Sequence, residues 1–291
     1  MKRISSFQFD TVTQYQVPLP AGWYKGIMLS LEGSNEAGQT FTRANFGDIR
    51  LYRDGKRIWE ISAEKLWYFV EQNYLGAQQF SSTISAAVLM SLYIPFHFRN
   101  DNNVCRLGSN YVLEFSHADL NAVLGTTTLT VLAQTGLGQE KYFPLYNNFS
   151  IRALSQLTEP EKIARQNLAY VVVDFSANHT HFRLKKGANY IYDMTDEESD
   201  FQSALETPVA SYAATAATIP ISMSLYKDLN LVEVAGNGDC ALGVVSTDTN
   251  FTGFTVEFEL NASRMARSND TVRKVAESVA DGDGMLTNIL A

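Results

Sequence analysis

His179-Thr180-His181 places two imidazoles on the same face of an extended strand, a spacing from which a strand can hold a transition metal. Lys185 and Lys186 follow where a carboxylate ligand would be needed, so the pair reads as surface or loop histidines. Asp196, Glu197, Glu198 and Asp200 could offer calcium several hard oxygens. They also stand where a helix would begin, and carboxylates in a first turn are favoured by the helix dipole without any ion. Asp281-Gly282-Asp283-Gly284 has the start of a calcium loop but neither its glycine at the sixth place nor its glutamate at the twelfth. Calcium is thus the one ion left open, and no cofactor is expected.

Covalent chemistry finds even less. Cys105 and Cys240 are far apart, outside any CxxC or Cys/His spacing, and read as buried free thiols. There is no Gly-x-Ser-x-Gly elbow or phosphate loop, and Gly136-Leu137-Gly138 lacks the third glycine of a dinucleotide fingerprint. Paired carboxylates for sugar hydrolysis are set by the fold and leave no sequence spacing to test. Trp23, Trp59, Trp67 and Tyr68 could line a glycan platform, but their placement in strands or a helix fits core packing better. An enzyme is not the expectation.

The totals narrow the classes further. At 291 residues the chain suits two domains, and with 45% hydrophobic and 19% charged residues each could bury its own core. A net charge of -8 argues against neutralising nucleic-acid phosphates. Met1-Lys2-Arg3-Ile4-Ser5-Ser6 runs into polar sequence, without the apolar stretch of a signal peptide. Ile84 to Phe98 is too short to cross a bilayer, carries Ser85, Ser91 and Pro95, and reads as a buried strand. Sequons at Asn148, Asn178, Asn250, Asn261 and Asn269 would stay unglycosylated without a secretory route.

The elements that would position any site are duplicated. Met90-Ser91-Leu92-Tyr93 recurs as Met223-Ser224-Leu225-Tyr226, an offset of 133 residues. At that same offset Arg50-Leu51 matches Arg183-Leu184, and Ile58-Trp59-Glu60-Ile61-Ser62 matches Ile191-Tyr192-Asp193-Met194-Thr195. Each copy reads as strand, Gly-containing turn at Asp54-Gly55 or Lys186-Gly187, alternating strand, then an N-cap and a helix. The first cap is Ser62 before Ala63 to Asn73. The second is Thr195, with Glu198 completing a capping box before Phe201, Ala204 and Leu205, and Thr207-Pro208 stops that helix.

Strands with period-two alternation or short apolar runs fill the rest: Phe7 to Val17, Trp23 to Leu31, Tyr111 to Phe115 and Thr127 to Ala133. Phe149 to Leu154, Leu168 to Phe175, Cys240 to Val245 and Phe254 to Leu260 are their counterparts, and Glu159 to Gln166 reads as a short helix or loop. The chain is therefore expected to be all-β, two tandem eight-stranded jelly rolls, each with a short helix after the fourth strand. The expected ranges are 1–138 and 139–262, with 263–291 as a tail or arm. Val272, Val275 and Val279 share one side of a short helix there, and Leu286 and Leu290 make the last residues more apolar than a solvated tail needs.

Two such rolls in tandem, each with a helix after the hairpin, resemble the double jelly-roll major capsid proteins of the adenovirus and tectivirus lineage. The brief loops make the chain most similar to the compact forms of tailless, membrane-containing bacteriophages such as corticoviruses. The resemblance covers roughly residues 5 to 262 and rests on the paired segments Ile49 to Asn73 and Phe182 to Leu205. It implies a homotrimer, made in the host cytoplasm, whose six rolls tile an icosahedral virion beside neighbouring capsomers and a vertex or penton protein. It also implies an inner membrane, which Lys2 and Arg3 could contact, and an inter-capsomer arm carrying Val272, Val275, Val279, Leu286 and Leu290. Direct nucleic-acid binding is not expected.

The His179/His181 spacing also resembles that of cupins, which are jelly rolls as well, but the following Glu and a later His are missing here. The rival expectation is a jelly-roll glycan-binding or spike module, which would behave as a sugar-binding monomer rather than an assembling subunit.

Overall fold

The computed structural model describes residues 1–8, 14–35, 38–74, 79–80, 88–98, 102–117, 124–152, 161–164, 167–174, 179–186, 188–195, 198, 220–224, 240–246 and 250–260. Five strands, β1 (Lys2–Gln8), β2 (Gln14–Pro18), β3 (Gly22–Asn35), β4 (Phe46–Arg53) and β5 (Lys56–Ser62), precede the helix α1 (Ala63–Asn73). Then come β6 (Gln79–Phe80), β7 (Val88–Pro95), β8 (Cys105–Leu107), β9 (Tyr111–His117) and β10 (Leu124–Thr135). A connection over 136–141 leads into β11 (Tyr142–Arg152), β12 (Glu161–Ala164), β13 (Asn167–Asp174) and β14 (His179–Lys186). The last four strands are β15 (Asn189–Thr195), β16 (Pro220–Ser224), β17 (Cys240–Ser246) and β18 (Asn250–Leu260).

One wiring occurs twice. Up to Thr135 the strands pair in the orders β1-β10-β3-β7 and β2-β9-β4-β5, with the short β6 and β8 added at β7 and β3. From Tyr142 onward the orders are β11-β18-β13-β16 and β12-β17-β14-β15. Apart from β6 and β8, each half pairs its first strand with its last and its second with its second-to-last, the nested pattern of a jelly roll. Alternation builds it locally: along β2, Tyr15 and Val17 point inward between exposed neighbours.

The duplicated hairpins agree residue for residue. Ile49 faces Ile61, Arg50 faces Glu60, Leu51 faces Trp59, and the register then slips before Tyr52. In the second copy Phe182 faces Met194, Arg183 faces Asp193, Leu184 faces Tyr192, and the slip falls before Lys185. Every one of these positions is offset by the 133 residues seen in the sequence. The first turn is tight because Asp54 (φ 54) and Gly55 (φ 74) both take the left-handed region, as a two-residue hairpin requires.

Four expectations are corrected. Phe7 to Val17 is not one strand: β1 pairs with β10 in one sheet and β2 with β9 in another. The helix therefore follows the fifth strand of the first half instead of the fourth. Glu161–Ala164, expected as helix or loop, is the strand β12, paired on one side only with β17. Four residues carrying Glu161 and Lys162 suit a sheet edge, and they are too few to show a period. Ser62 precedes α1 as expected, but its side chain makes no capping bond.

The two halves are not separate bodies. β5 pairs in parallel with β11 at Glu60 and Asn147, so one eight-stranded sheet runs β16-β13-β18-β11-β5-β4-β9-β2 through both. The core is correspondingly continuous. α1 buries Leu66, Phe69 and Val70, and Phe69 meets Phe254 of β18 edge-to-face at 5.7 Å. Trp59 meets Tyr146 in the same way at 5.3 Å, and Phe98 stacks on Tyr142 at 4.5 Å. Edge-to-face and offset contacts of this kind add about 0.5–1.5 kcal/mol each beyond area burial.

Candidate assembly surfaces and the joint between the halves

The outward face of β2, β4, β5 and β9 carries a polar network centred on Arg50. Its Nε donates to Glu60 at 2.6 Å, Nη1 to Glu114 at 3.1 Å and Nη2 to Asp48 at 3.2 Å. Arg57 pairs with the second oxygen of Glu60. Glu114, whose side chain is only 4% exposed, also accepts from Gln16 at 2.8 Å and Tyr52 at 3.3 Å. Burial alone would push its carboxyl up, but the bonds from Gln16, Arg50, Gln14 and Tyr52 outweigh this and hold it below the usual glutamate range.

The second roll repeats the centre of this network and changes its rim. Arg183 donates to Asp193 at 2.8 Å, and His181 shares the other Asp193 oxygen at 2.5 Å. Arg183's hydrogen bond, followed by that of His181, keeps the Asp193 carboxyl below its ordinary value. Across from Arg183 the neighbouring strand has Gly243 where Arg50 has Glu114, and His181 stands 133 residues after Asp48. Arg183 and Lys185 lie over the ring of Tyr190, at 4.6 and 5.6 Å. One wall is therefore acidic and internally satisfied, while its copy is more basic and carries an exposed aromatic.

Asn103 locks the joint. It is completely buried, and its Nδ2 donates to the carbonyls of Phe96 (2.6 Å) and Tyr142 (3.0 Å), while its Oδ1 accepts from the amides of Lys141 (2.8 Å) and Tyr142 (3.3 Å). Both donors and both acceptor sites of the amide are thus used. Val104 donates to Gln139 at 3.1 Å and Gln139 to Asn102 at 3.3 Å. Tyr146 closes the other side by donating to the Pro95 carbonyl at 2.6 Å. A Cβ on Gly138 would fall 2.3 Å from the Asn102 carbonyl oxygen, so only glycine fits this close approach.

The residues singled out from sequence are dispersed. Lys2 and Arg3 are exposed on β1, opposite Ala133 and Leu132. Val272, Val275, Val279, Leu286 and Leu290 lie outside the described residues, as do Asp196, Glu197, Asp200 and the Asp281 to Gly284 segment. Glu198 and Thr195 form the reciprocal capping box, with bonds of 2.9 and 3.4 Å. Among the described residues no group of three or more His, Cys, Asp or Glu is placed to hold a metal, and no helix is long and apolar enough to cross a membrane. Cys105 is a buried free thiol. Trp59 and Trp67 are core residues, whereas Trp23 is exposed. The Glu114 network and Asn103 escaped sequence reasoning, since isolated polar residues inside strands and loops give no spacing signal.

This wiring and its repetition define a class, the all-β double jelly roll. No family model and no curated protein matches the chain. Solved structures do match. Against the STIV MCP the TM-score is 0.65 at 11% identity, over 90% of this chain and 96% of that one. Against the major capsid protein from Bacteriophage PM2 it is 0.56 at 13% identity, over 89% and 98%. Against PBCV-1 VP54 it is 0.53 at 9% identity, over 87% and 92%. The fold is that of the double jelly-roll major capsid proteins, along nearly the whole chain.

Proposed function

We propose that this chain is a major capsid protein, with residues 1–138 and 139–262 as its two rolls and 263–291 as an arm. The observation that carries the reading is the double wiring, matched over about nine-tenths of the chain by capsid proteins of very different sequence. Three chains would close a ring of six rolls, and this ring would tile an icosahedral virion shell, beside a vertex or penton protein and around an inner membrane. Closing a ring covers lateral walls that a lone chain leaves open. The unlike walls around Arg50 and Arg183 support such heterologous contacts, because a ring of unlike halves needs one patch to meet a different one. Lys2 and Arg3 would face anionic lipid, and Val272, Val275, Val279, Leu286 and Leu290 would bridge capsomers. The acidic balance fits a shell that does not itself hold the genome.

Static light scattering on the purified full chain tests this. The expected mass is about three times the 32.4 kDa chain, or a larger multiple of that unit. A single-chain mass at every concentration would overturn it.

A further inference from the structure

Among the described residues, the large apolar side chains left exposed are Met1 (70%), Trp23 (44%), Leu137 (97%) and Tyr190 (46%). Scattered exposed apolar residues are ordinary, but Met1, Trp23 and Leu137 share one end of the molecule. Lys2 lies opposite Ala133 near the end of β10, and Thr135 lies opposite Tyr24 near the start of β3. Trp23 pairs with Arg106, whose guanidinium sits 6.0 Å from the indole centroid. The Lys25 side chain runs along Gly136, next to Leu137, and the Arg106 amide donates to Glu140 at 3.1 Å. β11 leaves the 136–141 connection running parallel to β5, which puts the β4–β5 turn at this same end.

The charge of this rim opposes that of the chain. Its strand ends and connection bring together Lys2, Arg3, Lys25, Arg53, Arg106 and Lys141 against Asp54, Glu140 and Glu259, in a protein whose net charge is -8. Leu137 is also held in place. The bonds of Gln139 to Asn102 and Val104, and the crowding at Gly138, fix the connection that presents it.

We propose that this end is a lipid-docking face, with Trp23, Leu137 and Met1 entering the headgroup region of an anionic bilayer and the surrounding bases holding its surface. The inference deepens the capsid reading and rests on it for the presence of an enclosed membrane. Bilayer chemistry is favoured over nucleic acid because Leu137 and Met1 offer nothing to a phosphate backbone, whereas aromatic and basic side chains together match a bilayer interface.

The chain carries its own reporter. Of its three tryptophans, Trp59 and Trp67 are buried, so an environment-dependent emission change reports Trp23. Purified full chain is mixed with vesicles of phosphatidylcholine alone or with phosphatidylglycerol, then followed by flotation and tryptophan emission. Flotation with the anionic vesicles and a blue shift are expected. Leu137→Asp should abolish the shift with the trimer mass unchanged, and each of Lys2→Ala and Arg3→Ala should lower partitioning about fivefold.

No flotation on anionic vesicles, or flotation without a blue shift that Leu137→Asp leaves unaltered, would overturn the proposal. So would preferential binding of a DNA probe with Trp23 quenched. Trimers that ignore anionic vesicles would remove the lipid face and leave the shell, whereas a monomer that floats would do the reverse.

Discussion

Asn103 shows how much one side chain can fix. It holds four backbone groups from the segments that meet where the first roll ends and the second begins, in a place water does not reach. Asn103→Ala should cost at least about 3 kcal/mol in urea unfolding, because the carbonyls and amides it leaves behind stay buried without partners. Gly138→Ala should also destabilise, since the new methyl meets backbone that cannot swing aside. Glu114 yields a pH-dependent expectation. Its folded value lies below the ordinary one of 4.5, so its stabilisation is complete above that value and disappears as pH falls through the lower, folded one. Glu114→Gln should therefore cost about 2 kcal/mol at neutral pH, with the difference from the parent closing in acid as measured by thermal melts. None of these residues announced itself in the sequence, because a polar residue within an apolar strand shows its partners only after strands far apart in the chain are paired.

The elements were more legible where geometry fixes length. Both hairpins reproduce the offset residue for residue, since a tight turn between two paired strands leaves no room for insertion. The correspondence drifts elsewhere: Tyr111–His117 answers to Cys240–Ser246 at a shorter spacing, because loops between sheets tolerate changes of length. α1 was readable from Leu66, Phe69 and Val70, but what that face covers was not. It reaches past its own roll to Phe254, so Phe69→Ala should cost about 3–5 kcal/mol in chemical denaturation, more than a helix packed on one roll's margin would lose. β12 was missed for the opposite reason, being a short charged edge with no periodicity of its own.

For the whole molecule, composition and the repeat announced two rolls but not their fusion. The parallel contact of β5 with β11 joins segments far apart in the sequence and leaves no local mark. Because the core is shared, the two rolls should unfold together. All three tryptophans lie in the first half, so their emission reports that half, while far-ultraviolet circular dichroism reports both. Coincident transitions are expected, and a circular dichroism transition without an emission change would show the rolls melting apart.

A sheet that crosses the molecule without interruption also has a mechanical meaning. Bending one half against the other would break the β5–β11 pairing at Glu60 and Asn147 and part the packed rings beside it, so the chain resists flexure as a plank does. In the shell proposed above, a closed surface made from such planks would take its curvature at the seams between chains.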